Sequence, residues 1–186
     1  MTSVAEETGG AVHAPPAGEQ LVRFEELFAA HHERVLAYLL RRVTNSGDVD
    51  DLVAETFLTA WRRLGDVPGG EGALPWLYAV ARRVLANHRR REQTRLALVD
   101  KLRTAPVHTG HPDPEGAALT AAAWRELPER DREVLALIAW EGLEADQVAV
   151  VLGCSRNAVR IRLHRAKRRF EKLLRSTPAL PEGGAA

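Results

Sequence analysis

Residues 144–172, EADQVAVVLGCSRNAVRIRLHRAKRRFEK, decide the fold. The segment reads as a short helix, a tight turn and a second helix. Val148 and Leu152 share one face of the first helix, and Ala149 is small where a second helix must approach. Gly153 follows, and only glycine takes a positive φ without cost, so the chain turns sharply there. Ser155 is a good N-cap for what comes next. In the second helix Val159, Leu163, Ala166 and Phe170 recur at i, i+4, i+7 and i+11, one apolar stripe for a core. This is a helix-turn-helix pattern, whose second helix enters the major groove of DNA.

Charge agrees with that reading. From 153 to 175 there are nine basic residues and one acid, +8 locally in a chain whose formal total is +1. Such asymmetry points to a polyanionic partner. A solvated basic surface helix is the plainer alternative, but it explains neither the turn nor the inward stripe.

The remaining composition sets bounds. The 186 residues suffice for one or two small domains, and 45% hydrophobic content is ordinary for a globular chain. Aromatics are few, Ala, Leu, Val and Arg are many, and no period-2 strand stands out, so the fold class expected is all-α. The single Cys154 excludes an internal disulfide framework. The N-terminus lacks the basic start and apolar core of a signal peptide. No run approaches the roughly 18 apolar residues of a membrane span. A soluble, cytoplasmic protein is expected.

Breakers divide the chain into two small helical domains joined by a flexible linker: a loose N-terminus over 1–20, a helical block over 21–102, a linker over 103–117, a second block over 118–175 and a loose tail over 176–186. In the first block Leu27, Phe28, Val35, Leu36, Leu39 and Leu40 are core candidates. Asp48 opens the helix DVDDLVAETFLTAWRRL, whose early acids suit the helix dipole. Its buried stripe is Val53, Phe57, Trp61 and Leu64, with Asp51, Glu55, Thr59 and Arg62 on the opposite side. After the loop 65–73, Pro75 suits the first turn of PWLYAVARRVLANHRRRE. There Trp76, Leu77, Val80, Ala81, Val84 and Leu85 point inward, while Arg82, Arg83, Asn87, Arg89, Arg90 and Arg91 lie outside or at the end. Trp61 and Trp76 are expected in the core; Tyr78 is open. His31 and His32 are expected at the surface. His108 and His111, in the linker, are weak metal candidates. No phosphate loop and no zinc-protease helix occurs, so neither active site, cofactor nor metal is expected.

Together these strings resemble an extracytoplasmic-function sigma factor, a promoter-recognition subunit of bacterial RNA polymerase. DVDDLVAETFLTAWR and PWLYAVARRVLANHRRR are similar to sigma region 2. LPERDREVLALI and the helix-turn-helix ending RLHRAKRRFEKLL are similar to region 4. The resemblance spans roughly residues 21–175. It departs from the family pattern at Ala54, where Gln is frequent, and at 157–162, where NAVRIR stands in place of GTVKSR.

The resemblance implies a non-catalytic subunit whose partners are core RNA polymerase and promoter DNA, with an anti-sigma protein as a further candidate partner and no membrane insertion. It assigns core-polymerase docking to Asp48, Asp51, Glu55 and Arg62. Capture of the −10 strand falls to Arg82, Arg83, Asn87, Arg89 and Arg90, with the loop 65–73 as base reader. In the −35 duplex, Ser155, Arg156, Asn157, Arg160, Ile161 and His164 face the groove, while Arg165, Lys167 and Arg168 hold phosphates. The linker is expected to thread the polymerase cleft or to act as a plain tether. Two rival readings stand beside this one. A free-standing helix-turn-helix regulator has no need of the acidic helix and PWLYAVARR in tandem. A partner-sequestering module has no need of the +8 helix.

Overall fold

The computed structural model describes residues 17–43, 45–99 and 114–176, and among these it contains seven α-helices and no strand. They are α1 (Ala17–Leu40), α2 (Val49–Arg62), α3 (Ala73–Val99), α4 (Pro114–Glu126), α5 (Glu129–Ala139), α6 (Ala145–Leu152) and α7 (Arg156–Ser176). Helix α1 begins at Ala17 rather than Leu21, and α4 begins at Pro114, inside the stretch read as linker. The rest of the linker, with His108 and His111, lies outside the described residues, as do most of the N-terminus and the tail.

Helices α1, α2 and α3 pack on one another. Their apolar stripes meet in Val35, Leu39, Leu52, Val53, Phe57, Leu77, Ala81 and Val84, all buried. Each of these side chains but Ala81 contributes roughly 1.5–3 kcal/mol by leaving water, and the single methyl of Ala81 about 0.8 kcal/mol. The short connection between α2 and α3 is pinned by its own apolar residues, Leu64 and Val67, and by Arg23, whose guanidinium donates to the Val67 carbonyl at 2.8 Å.

The second unit is built on α7, which packs against α4, α5 and α6. Val159 and Ala166 are buried, and Leu163 and Phe170 are partly buried against the same core. Phe170 meets Trp124 edge-on, with ring centroids 6.0 Å apart. The α6–α7 turn closes as the sequence expects. Gly153 sits at φ 63°, its N–H bonds the Val150 carbonyl, and the Cys154 N–H bonds that of Ala149. These two bonds form a Schellman closure, which satisfies carbonyls the helix end leaves free. Ser155 Oγ then accepts the Ala158 N–H at 3.2 Å, capping α7.

Several expected core residues lie elsewhere. Trp61 is 39% exposed, lying edge-on against Phe24 at the rim of the α1–α2 seam. Phe28 is also exposed, layered between Phe57 and His32. Leu40 faces solvent because its neighbour Leu39, about 100° around the helix, occupies the core. Trp76 is half-buried, Tyr78 is buried, and His31 and His32 are half-buried rather than surface residues. Burial, with Arg34 nearby, holds the His31 pKa below its ordinary value.

The two units are not separate bodies: α6 lies against α3, and the buried residues of both form one continuous cluster.

Candidate nucleic-acid and polymerase interfaces

Helix α7 presents two opposite faces. Val159, Leu163, Ala166 and Phe170 hold it to the unit. Ser155, Arg156, Asn157, Arg160, Ile161, His164, Arg165, Lys167 and Arg168 are all exposed. All nine nominated residues therefore lie together on the side away from the core. Ile161 is 46% exposed, two residues from a Val159 that is 0% exposed. Arg169, next to this face, instead binds the buried Asp131 carboxylate and fixes α7 to α5.

Helix α2 carries a mixed ridge. Asp51, Ala54, Leu58 and Arg62 are exposed and Glu55 is half-buried, at i, i+3, i+7, i+11 and i+4 along one stripe. Asp48, at the N-cap, is half-buried and lies 3.5 Å from His88 Nε2, off that ridge. Sequence reasoning missed Leu58, 47% exposed in the middle of the acids. Its spacing from Val53 and Phe57 was the available signal, since it falls outside their stripe. Leu58 and the neighbouring Trp61 give the ridge an apolar centre.

Helix α3 divides its nominated residues between two faces. Arg83, Asn87 and Arg90, at i, i+4 and i+7, are exposed. Arg82 and Arg89, also one i, i+7 pair, turn toward α5. Arg82 grips Glu133 with two bonds of 2.6 and 3.3 Å, and this pairing raises its pKa. Arg89 bonds Glu129 at 2.8 Å and the Arg42 carbonyl at 2.9 Å. The loop 65–73 lies at the start of α3, whereas Arg90 lies roughly 25 Å further along the axis. The loop and the basic end are thus at opposite ends of one rod. Pro68, Gly69, Gly70 and Glu71 form the exposed loop tip, and Gly70 takes φ 56° there. A Cβ at Gly72 would come within 2.8 Å of Pro68, so only glycine fits that turn.

The residue that most shapes the molecule was not singled out from sequence. Glu141 follows α5, in a turn where Gly142 adopts φ 66° and the Leu143 N–H bonds the Leu137 carbonyl. That turn carries the Glu141 side chain, 1% exposed, into the first unit. It receives Arg41 at 2.5 Å, Arg42 at 2.9 Å and the Tyr78 hydroxyl at 3.3 Å. Its carbonyl receives Arg34 at 2.9 Å. Arg42 also lies 3.7 Å over the Tyr38 ring, which stacks on Tyr78 at 4.8 Å. Burial pushes both tyrosine hydroxyls up to about 12, and the Glu141 carboxylate adds to the shift at Tyr78. Glu141 stands alone at 141 between Trp140 and Gly142, so no periodicity announces it.

Comparison with known proteins follows the same division. Residues 27–95 match the model described as Sigma-70 region 2, and residues 120–170 match Sigma-70, region 4. RNA polymerase sigma factor CarQ of Myxococcus xanthus is 30% identical over 81% of this chain and 88% of that protein. The ECF RNA polymerase sigma factor SigF of Caulobacter vibrioides is 31% identical, covering 76% and 80%. The chain belongs to the extracytoplasmic-function sigma factors. Among solved structures, CnrH in complex with the cytosolic domain of CnrY is 28% identical to this sigma factor, with a TM-score of 0.58 over 83% of this chain and 89% of that one. RpoE of Bartonella quintana, solved with the anti-sigma factor NepR, shares the fold with a TM-score of 0.65 at 22% identity, covering 83% and 98%. Among the described residues, no helix of the sigma factor is long and apolar enough to cross a membrane.

Proposed function

We propose that this sigma factor docks on core RNA polymerase through the outer ridge of α2, takes the −10 strand on α3 and reads the −35 duplex with α7. The observation that carries the reading is the separation of faces on α7. Every DNA-contacting residue nominated on this helix or at its cap is exposed, while the stripe behind them is built into the core. Arg160 and Arg156 bond guanine edges bidentately in this reading, each such contact being worth about 1–3 kcal/mol of discrimination. Ile161 offers an apolar surface to a thymine methyl. Arg165, Lys167 and Arg168 hold phosphates, which position the helix without reading sequence.

On α2, Asp51, Glu55 and Arg62 surround Leu58, a charged rim about an apolar centre of the kind that makes a docking hot spot. Asp48 belongs to this surface only at its edge. On α3, Arg83, Asn87 and Arg90 are available to a single strand, while Arg82 and Arg89, though partly exposed, are engaged by Glu133 and Glu129. The chain supplies promoter choice and no catalytic group; RNA synthesis is the work of the core enzyme, in the cytoplasm. An anti-sigma protein is a fitting further partner, since CnrH was solved with the cytosolic domain of CnrY.

The test is run-off transcription. Purified chain is added to core polymerase and a promoter library. Transcripts from defined starts are expected. DNA binding without core enzyme and without transcripts would instead identify a stand-alone regulator.

A further inference from the structure

We propose that the cleft in the seam between the two units is a binding site for a nucleoside polyphosphate, its phosphates held by arginines and its base laid against Trp140.

The cleft measures about 560 Å³ and is lined mainly by α3, α4 and α5. A volume of that order suits a small organic ligand. Each helix turns one face into it. Leu85 and Ala86 come from α3, Ala121 from α4 and Ala136 from α5. Together they make an apolar floor, and the three alanines leave room where the helices converge. Two indoles also line the cleft. Trp124 packs against Phe170 and Trp140, with ring centroids 6.0 and 4.8 Å away. Trp140 is 46% exposed, so its ring is open to a planar partner. Every nucleobase has a π-face that stacks on such a ring.

The rest of the lining is cationic. Eight of the lining residues are arginines and only two are glutamates. Glu133 and Glu129 hold Arg82 and Arg89, and the buried Glu141 holds Arg41 and Arg42. Among the described residues, no carboxylate pairs with Arg90, Arg125, Arg130 or Arg132. Nor do the carboxylates exhaust the paired guanidiniums. Arg41 Nε and Arg42 Nη2 are buried with no acceptor among the described residues. So many like charges in one cleft call for anions, and phosphate oxygens match the guanidinium fork. A phosphate chain brings several such oxygens within a few ångströms of one another, which a lone carboxylate does not. No side-chain amide lines the cleft among the described residues to read a base edge, so adenine and guanine should serve alike.

The test uses the full chain as wild type, Arg132→Ala, Arg130→Ala, Trp140→Leu and Lys172→Ala. Arg130 and Arg132 belong to neither the DNA-contacting nor the polymerase-docking set, and Lys172 is exposed on α7 outside the cleft. Calorimetric titration gives affinity for ATP, GTP, AMP and inorganic triphosphate, and tryptophan emission reports stacking. ATP and GTP are expected to bind alike and to quench the emission, with AMP about tenfold weaker because it lacks most of the charge. Arg132→Ala and Arg130→Ala should each weaken ATP and inorganic triphosphate about fivefold or more, the loss of one charge-assisted contact. Trp140→Leu should weaken ATP about fivefold and leave inorganic triphosphate unchanged, since only the nucleoside stacks. Lys172→Ala should change neither. Should Arg132→Ala lose its helical signal, Arg130→Ala decides, because Arg130 is exposed. Absence of ATP binding would overturn the site. An equal loss in Lys172→Ala would overturn it too, as diffuse attraction to a basic surface. Inorganic triphosphate binding as tightly as ATP would overturn the role of Trp140 and with it the nucleoside. A trinucleotide single strand that bound more tightly than ATP, with the same dependence on Arg132 and Trp140, would assign the cleft to nucleic acid instead.

Discussion

Val159 and Ile161 are both β-branched, both apolar and two residues apart on α7, yet the structure assigns them opposite work. Two residues on a helix are about 200° apart. Val159 is 0% exposed and Ile161 is 46% exposed. Truncating Val159 to alanine removes two buried carbons and leaves a small void between α7 and its neighbours. At about 0.8 kcal/mol per carbon plus a cavity contribution, the cost is about 2 kcal/mol. For a chain of this size that lowers Tm by roughly 4–8 °C. Ile161→Ala should leave stability within about 0.5 kcal/mol and reduce affinity for a −35 duplex severalfold. Thermal unfolding followed by circular dichroism at 222 nm measures the first effect, and duplex binding by anisotropy measures the second. If Ile161→Ala lowered Tm as much as Val159→Ala, the helix would be rotated from the orientation described. Every assignment on its outer face would then fall with it.

Other outcomes test the remaining surfaces. Asp51→Ala should weaken association with core polymerase while leaving the unfolding curve in place, because Asp51 is exposed; intact core binding in a pull-down would remove α2 from the docking site. Lys167→Ala should weaken duplex binding about equally for all sequences and reduce the slope of log K against log salt by about 0.9; a change in sequence preference would instead mean that Lys167 reads bases. The chain has two tyrosines, Tyr38 and Tyr78, and both are buried in the seam. Absorbance at 295 nm should show them ionising near pH 12 in the folded protein and near pH 10 in denaturant. The fold favours the neutral hydroxyl, so this stabilisation is complete below pH 10 and is lost as pH rises toward about 12. Ionisation of either tyrosine near pH 10 in the native protein would show that the seam admits water.

Much of this was readable in the chain because it is local. The turn at Gly153, the cap at Ser155 and the inward stripe of α7 follow from backbone sterics and a 3.6-residue period. The stripes of α2 and α3 gave most of their core for the same reason. Trp61 and Phe28 broke the rule because periodicity says which side of a helix is apolar, not whether another element covers that side along its whole length. The docking of one unit on the other was illegible. It depends on Glu141, a lone acid brought to Arg41 and Arg42 across about a hundred residues of sequence, and on α3 dividing its arginines between two faces. Composition shows that Arg82 and Arg83 are both basic; only the packing of α5 separates them.

The bidentate grip of Glu133 on Arg82 has a kinetic and quantitative corollary. Both groups belong to the same chain, so any outside anion meets an internal rival whose effective concentration is of millimolar order. An outside anion reaching the Arg82 guanidinium must therefore displace Glu133 from it, and binds there more weakly than it would to an unpaired arginine.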